Sequence, residues 1–369
     1  MSPTILEPAV PRLVPAAAGP VRRVRIIHFC PWAGRLQDGD EFLLGLPGAD
    51  ISARVARPAD RSLVRMARLD CDWHGENVRA FGAMRDEGID FLPLQTTGVA
   101  GLMDVLATPV SPREERWFVI TGQHPQMLGD AGERLLGAYV RQGVRILYYA
   151  FDEASRTMPC FRAIAPHLSV LIHDESPLAP AALRPGCLAI HRSWVANLVP
   201  FAAPFHETPE EKILFLGSTL GLTPHRRRQI DFLAARFKDR FVATCDNSLP
   251  VDRRLELGRF KVGFCPEGRK FAGAAMGRTH TDRPFWSGCL GMAPVSEDSR
   301  SGGRLDDLHG GGLIWRYPHG DVKALAAACE QALAAPVWER RRVYEHFNRH
   351  ETVGSVVAGA IRAAVAAGG

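Results

Sequence analysis

Arg283 stands in Thr281-Asp282-Arg283-Pro284, where a stretch holding Gly268, Gly273 and Gly277 gives way to a short helix over Phe285 and Trp286. A guanidinium at such a turn makes two parallel hydrogen bonds to a phosphate, and the first N–H groups of a helix add to them. Gly217-Ser218-Thr219 offers a second such turn, followed by a helix carrying Arg226, Arg227 and Arg228. A small-residue turn lets backbone approach an anion closely, and Arg226 is the best placed of the three cations. The spacing matches neither a Walker loop nor a full dinucleotide fingerprint.

A different chemistry is suggested by Asp152, Glu153 and His124, each just beyond a strand-like run. A carboxylate or imidazole there can take a proton from a hydroxyl. Asp152 equally suits a plain helix N-cap. His28, Asp38 and Asp40 are lesser alternatives around the first strand. Glu297 and Asp298 follow a later strand and could accept hydrogen bonds from sugar or ribose hydroxyls. Asp38-Gly39-Asp40 and Asp70-Cys71-Asp72 contain a D-x-D pattern, but neither lies at a strand end. His346 and His350 have i, i+4 spacing without a third ligand nearby. No metal set is read from these patterns.

These residues need elements to place them. Strand-like runs occur at 22–29, 91–94, 117–121, 144–150 and 168–173, with helical spacing at 76–86, 131–141 and 161–166. This alternation predicts a parallel sheet with crossover helices. The stretch 177–209 holds six prolines and reads as an inter-domain region. A second α/β unit then starts at 212–216. It continues through a helix over 224–237, a strand at 241–244, the Arg283 segment with its flanking strands (262–264 and 290–295), and a strand at 313–317. Helices over 321–334, 337–347 and 352–366 end the chain. In open parallel sheets, ligands bind beyond the carboxyl ends of the strands.

Composition narrows the function classes. Net charge is +5 and the sequence pI about 8.9, which suits anionic substrates without marking a nucleic-acid binder. The eight cysteines are scattered, so neither a disulfide framework nor a metal pair is expected, and a cytoplasmic setting is read. Residues 1–20 read as a flexible leader without signal-peptide pattern, and no run is long and apolar enough to span a membrane.

At three places the chain resembles the GT-B type glycosyltransferases, notably the spore-maturation-protein-like and exostosin-like groups. They are LYYAFDEAS (147–155), ILFLGST followed by His225-Arg226, and FCPEG followed by TDRPFWSGCLGMAPVSED. The resemblance covers about 115–365. It implies an α/β fold of two Rossmann-like domains facing across a cleft: an acceptor-side domain over 21–190, a donor domain over 191–350, and a C-terminal helix over 351–369 that returns to the first domain. It implies a metal-independent transferase, hexosyltransferase-like, with no cofactor and a nucleotide-diphosphate sugar as co-substrate. Thr281, Asp282, Arg283, Gly217, Ser218, Thr219 and Arg226 would hold the donor, and Asp152, Glu153 or His124 would face the acceptor, whether glycan, small molecule, protein or nucleic acid. Phe285 and Trp286 occupy the region where many members carry a ribose-binding glutamate. A nucleotide-sugar epimerase on the same fold and a non-catalytic sugar-nucleotide-binding protein are the alternatives.

Overall fold

The computed structural model describes residues 22–29, 80–81, 83–84, 89–96, 114–121, 132–150, 159–173, 183–192, 195–217, 223–244, 254–266, 282–298 and 303–367. They form two parallel sheets in tandem. The first has six strands: β1 (Arg22–Phe29), β2 (Ile89–Thr96), β3 (Glu114–Thr121), β4 (Arg145–Ala150), β5 (Val170–His173) and β6 (Leu188–His191), in the order β2-β1-β3-β4-β5-β6. Helices α1 (Gly132–Arg141) and α2 (Pro159–Ile164) lie between its strands in sequence.

Successive strand residues point to opposite faces, and both faces of this sheet are apolar, as a parallel sheet with two covered faces requires. Phe118, Ile120, Ile146 and Tyr148 join Leu136, Tyr139, Phe161 and Ile164 on one face. Trp117, Val119, Leu147 and Tyr149 join a separate cluster on the other. Within 177–209, read from sequence as an inter-domain region, strand β6 pairs with β5 from Val170↔Leu188 to His173↔His191. It is four residues long at a sheet edge, flanked by Pro185 and Gly186, so its apolar signal is short.

The second sheet has β7 (Glu210–Leu216), β8 (Phe241–Thr244), β9 (Phe260–Cys265), β10 (Ala293–Glu297) and β11 (Trp315–Tyr317), in the order β11-β10-β9-β7-β8. Its helices are α3 (Pro224–Phe237), α4 (Arg283–Cys289), α5 (Gly303–Gly310) and α6 (Val322–Ala334), followed by α7 (Val337–His350) and α8 (Val353–Ala367). Ile213, Phe215, Val262, Phe264 and Val295 pack with Leu233 of α3 and Leu325 and Cys329 of α6. On the other face, α4 is pressed between the sheet and α7. A Cβ added at Gly288 would meet the Phe347 ring at 2.3–2.6 Å, and one at Gly263 would lie 2.2 Å from Ser287 Oγ, so both contacts need glycine.

The chain passes between the two units twice, and the two crossings are bonded together. Ala196 N–H donates to Glu351 O (3.0 Å) and Val353 N–H to Ala196 O (2.9 Å). Tyr344 Oη donates to Ala203 O (2.7 Å), and the Asn348 side chain receives Phe201 N–H (2.6 Å) while donating to Cys289 O (3.0 Å). Helix α8 then packs on the first unit: Val353, Val357 and Ile361 share the cluster of Trp117 and Val119, and Arg145 Nη1 donates to Ala364 O (3.4 Å). Gly354 passes so close to Ala80 that a Cβ would sit 2.9 Å from its carbonyl oxygen. No helix among the described residues is long and apolar enough to cross a membrane.

A charged knot lies at the same crossing. Glu351 is 0 % exposed and receives Arg304 and Arg192 (3.2 Å), with His346 Nε2 at 3.6 Å. Burial first, then His350, Arg304, Arg192 and Arg342, push the His346 imidazole down from 6.5 to about 4. His350 is displaced downward as well, chiefly by burial. A histidine whose folded value is depressed stabilises the fold above its unfolded value and loses that contribution as pH falls through the window between them. Unfolding stability is therefore expected to drop by about 2–3 kcal/mol between pH 6.5 and 4 from His346. Urea midpoints measured across that range check this, and His346→Gln should flatten the fall.

Candidate functional site at the carboxyl edge of the second sheet

The carboxyl ends of β7, β9, β10 and β11 bring together residues far apart in sequence. Strand β7 ends at Leu216 and turns at Gly217, where a Cβ would lie 2.3 Å from the Phe215 ring. No other residue fits there without moving that ring. Arg283, the first residue of α4, sends its Nε to the Leu216 carbonyl (2.7 Å) and lays its guanidinium 5.7 Å from the Phe215 ring centroid. The start of α4 is thereby fixed to the Gly217 turn. Asp282 at its N-cap position accepts with its backbone carbonyl from Phe285 and Trp286 N–H, each at 3.0 Å. Burial pushes the Asp282 carboxyl up, opposed by the guanidinium groups of Arg283 and Arg254.

Arg254 escaped the sequence reading. It stacks over the Trp286 ring at 5.5 Å and adds a second guanidinium beside Asp282. Its only sequence signal was one arginine in the pair Arg253-Arg254, just before β9. Arg226 lies in the first turn of α3, buried, with its N–H on the capping Thr223 Oγ1 (3.2 Å). Phe285 and Trp286 are buried core residues of α4.

The same edge holds a polar hub centred on Glu297, at the end of β10 and 0 % exposed on its side chain. One carboxylate oxygen, Oε1, lies 2.7 Å from His225 Nε2 and 3.1 Å from His319 Nδ1. It also accepts from Gln229 Nε2 (2.8 Å) and Gly320 N–H (2.9 Å). His225 and Gln229 come from successive turns of α3, while His319 and Gly320 come from the loop after β11; Gly320 adopts φ +75°, a backbone form that favours glycine. Burial first, and the Glu297 carboxylate next, push the neighbouring Tyr317 phenol upward. Among the described residues, His225, Glu297 and His319 are the group whose ligand atoms converge as a metal would require. Glu297 is thus engaged by the protein itself through Oε1. Asp298 is held likewise, by Arg316 Nε at 2.7 Å and Nη2 at 2.6 Å.

Thiol chemistry finds no support at this edge. Burial pushes Cys265 up to about 12 and Cys289 higher still, which suppresses the reactive thiolate. The structure thus brings Gly217, Asp282 and Arg283 together and sets Arg226 on the adjoining helix. Ser218, Thr219, Thr281, His124, Asp152 and Glu153 lie outside the described residues, as do both D-x-D patterns.

Two parallel Rossmann-like sheets in tandem, with a last helix returning to the first, define a fold of the GT-B type. No family model and no curated protein matches the chain. Solved structures match at distance. They include a mutant O-GlcNAc transferase from Thermobaculum terrenum (13 % identity, TM-score 0.43, 97 % of this chain and 69 % of that one). Another is an E. coli structure described as trehalose-6-phosphate bound with UDP-2-fluoro glucose (10 %, TM-score 0.41, 92 % and 98 %). A third is the GtfA/B complex (10 %, TM-score 0.39), of which this chain, over 72 % of its own length, spans 59 %.

Proposed function

We propose that the protein transfers a sugar from a nucleoside-diphosphate sugar to an acceptor hydroxyl, and that the second sheet's carboxyl edge holds the donor. The observation that carries this reading is the Arg283 arrangement: a guanidinium anchored by Nε to the Leu216 carbonyl, beside a turn where only glycine fits. Backbone at Gly217 and the guanidinium would meet the diphosphate, with Arg226 and Arg254 adding positive charge on either side. Such fixed donors stabilise negative charge as it develops on the leaving diphosphate, without reorganising at the moment of reaction. Asp152, Glu153 or His124, from the first unit, would orient or deprotonate the acceptor hydroxyl. The transfer proposed here calls on no metal and no cofactor.

One observation favours a second reading. Phe285 and Trp286 are core residues where related transferases carry a ribose-binding acid, which fits a protein that binds sugar nucleotides without turning them over. Purified protein incubated with a panel of nucleotide sugars, with and without pooled acceptors, separates the cases. Acceptor-dependent release of nucleoside diphosphate supports transfer. Conversion of the donor alone marks an epimerase, and binding without either product marks the non-catalytic protein.

A further inference from the structure

We propose that His225, Glu297 and His319 form a binding site for a divalent transition-metal ion of the zinc class. His225 Nε2, a Glu297 carboxylate oxygen and His319 Nδ1 all lie within 4.8 Å of one another. Zinc holds imidazole nitrogen and carboxylate oxygen at about 2.0–2.2 Å, so neighbouring ligand atoms in a tetrahedral site sit roughly 3.3 Å apart. The His319 separation of 3.1 Å from Glu297 Oε1 is close to that spacing, whereas His225 Nε2 at 2.7 Å sits at hydrogen-bond distance and would have to move outward by about half an ångström. Small side-chain shifts suffice to admit an ion.

The surroundings are those of a held ligand set. The two imidazoles stack at 4.4 Å with an interplanar angle of 22°, and each aims a nitrogen at the same carboxylate oxygen. Gln229, 1 % exposed, and Gly320 N–H both donate to Oε1 itself, fixing the carboxylate from within the protein and sharing with an ion the oxygen that faces the two imidazoles. Hydrogen bonds from outer groups of this kind orient ligands and tune affinity. Glu297 is fully buried, while the His225 and His319 side chains are 32 % and 29 % exposed, so the solvent side remains for a water or exogenous ligand. Two imidazoles and one carboxylate with a further position open is the ligand count of a zinc site able to take an exogenous ligand. Nitrogen ligands select zinc or cobalt over magnesium and calcium, which require oxygen sets. The proposal stands apart from the donor-site reading, since it uses neither Arg283 nor the Gly217 turn.

The test is equilibrium dialysis of the chelator-treated full chain against Zn²⁺, with Co²⁺ absorption spectra reporting the coordination geometry. The expected result is saturable uptake of about one ion per chain, with the ligand-field bands of a low-coordinate Co²⁺ site. His319→Ala, on a loop, and His225→Ala should each weaken binding by at least about 10–100-fold, the loss that even outer-partner changes cause, with circular dichroism showing both folded. Failure of the wild type to take up Zn²⁺ saturably makes the trio a hydrogen-bonded hub and overturns the proposal. So does binding by either folded variant as tight as wild type, which would assign the ion to other surface histidines.

Discussion

Glu351→Gln is expected to cost about 3–5 kcal/mol of unfolding stability, the range for removing one partner of a buried ion pair. The side chain has no exposed surface, and its charge is shared between Arg192 and Arg304. Glutamine keeps the shape but leaves two guanidinium groups facing each other in a confined space. Burial, and the repulsion of Arg192 next, already push Arg304 down to about 10. The substitution also falls where Glu351 O receives Ala196 N–H, at the join between the two crossings. Glu330→Gln is the control. Its partner Arg236 is also an arginine, at 2.8 Å, but both side chains are more than half exposed. A loss below about 1 kcal/mol is expected there. Denaturant titrations of both variants check the contrast, and equal losses would mean that burial does not govern the Glu351 knot.

The second large effect concerns turnover. Arg283→Ala should lower kcat/KM for the best nucleotide-sugar donor by about 100–1,000-fold, the cost of deleting one fixed donor to a developing anion. Arg283→Lys should recover only part of it, because an ammonium lacks the planar fork and cannot both hold the Leu216 carbonyl and present a second pair of donors. The Nε bond to Leu216 also orders the Gly217 turn, so melting curves must accompany the kinetics. A variant that melts as wild type does and turns over equally well would remove Arg283 from the site.

The strands were legible in the sequence because apolar runs such as WFVIT and KILFL are buried on both faces and leave no alternation to misread. Helix α3 was legible from its apolar stripe at Ile230, Leu233 and Phe237, and the structure adds a Thr223 cap and a first-turn proline. Strand β6 and helix α5 were not, because both are short. The tie between Arg283 and Leu216 could be suspected, since both flank turns at adjoining strands. The Glu297 hub could not, because His225, Glu297 and His319 share no sequence spacing. Only the strand order β11-β10-β9-β7 carries those three segments to one edge. Nor could the burial of Glu297 be read from its place after a strand, because its partners come from α3 and the loop after β11.

Thermal unfolding across a panel of nucleoside diphosphates tests most directly whether this edge binds one. A ligand at 100 times its Kd stabilises the folded state by about 2.7 kcal/mol, which raises Tm by several degrees. Such a rise is expected for at least one nucleoside diphosphate, and its loss in Arg283→Ala. A panel in which no nucleoside diphosphate moves the transition, or one that shifts wild type and variant alike, would contradict it.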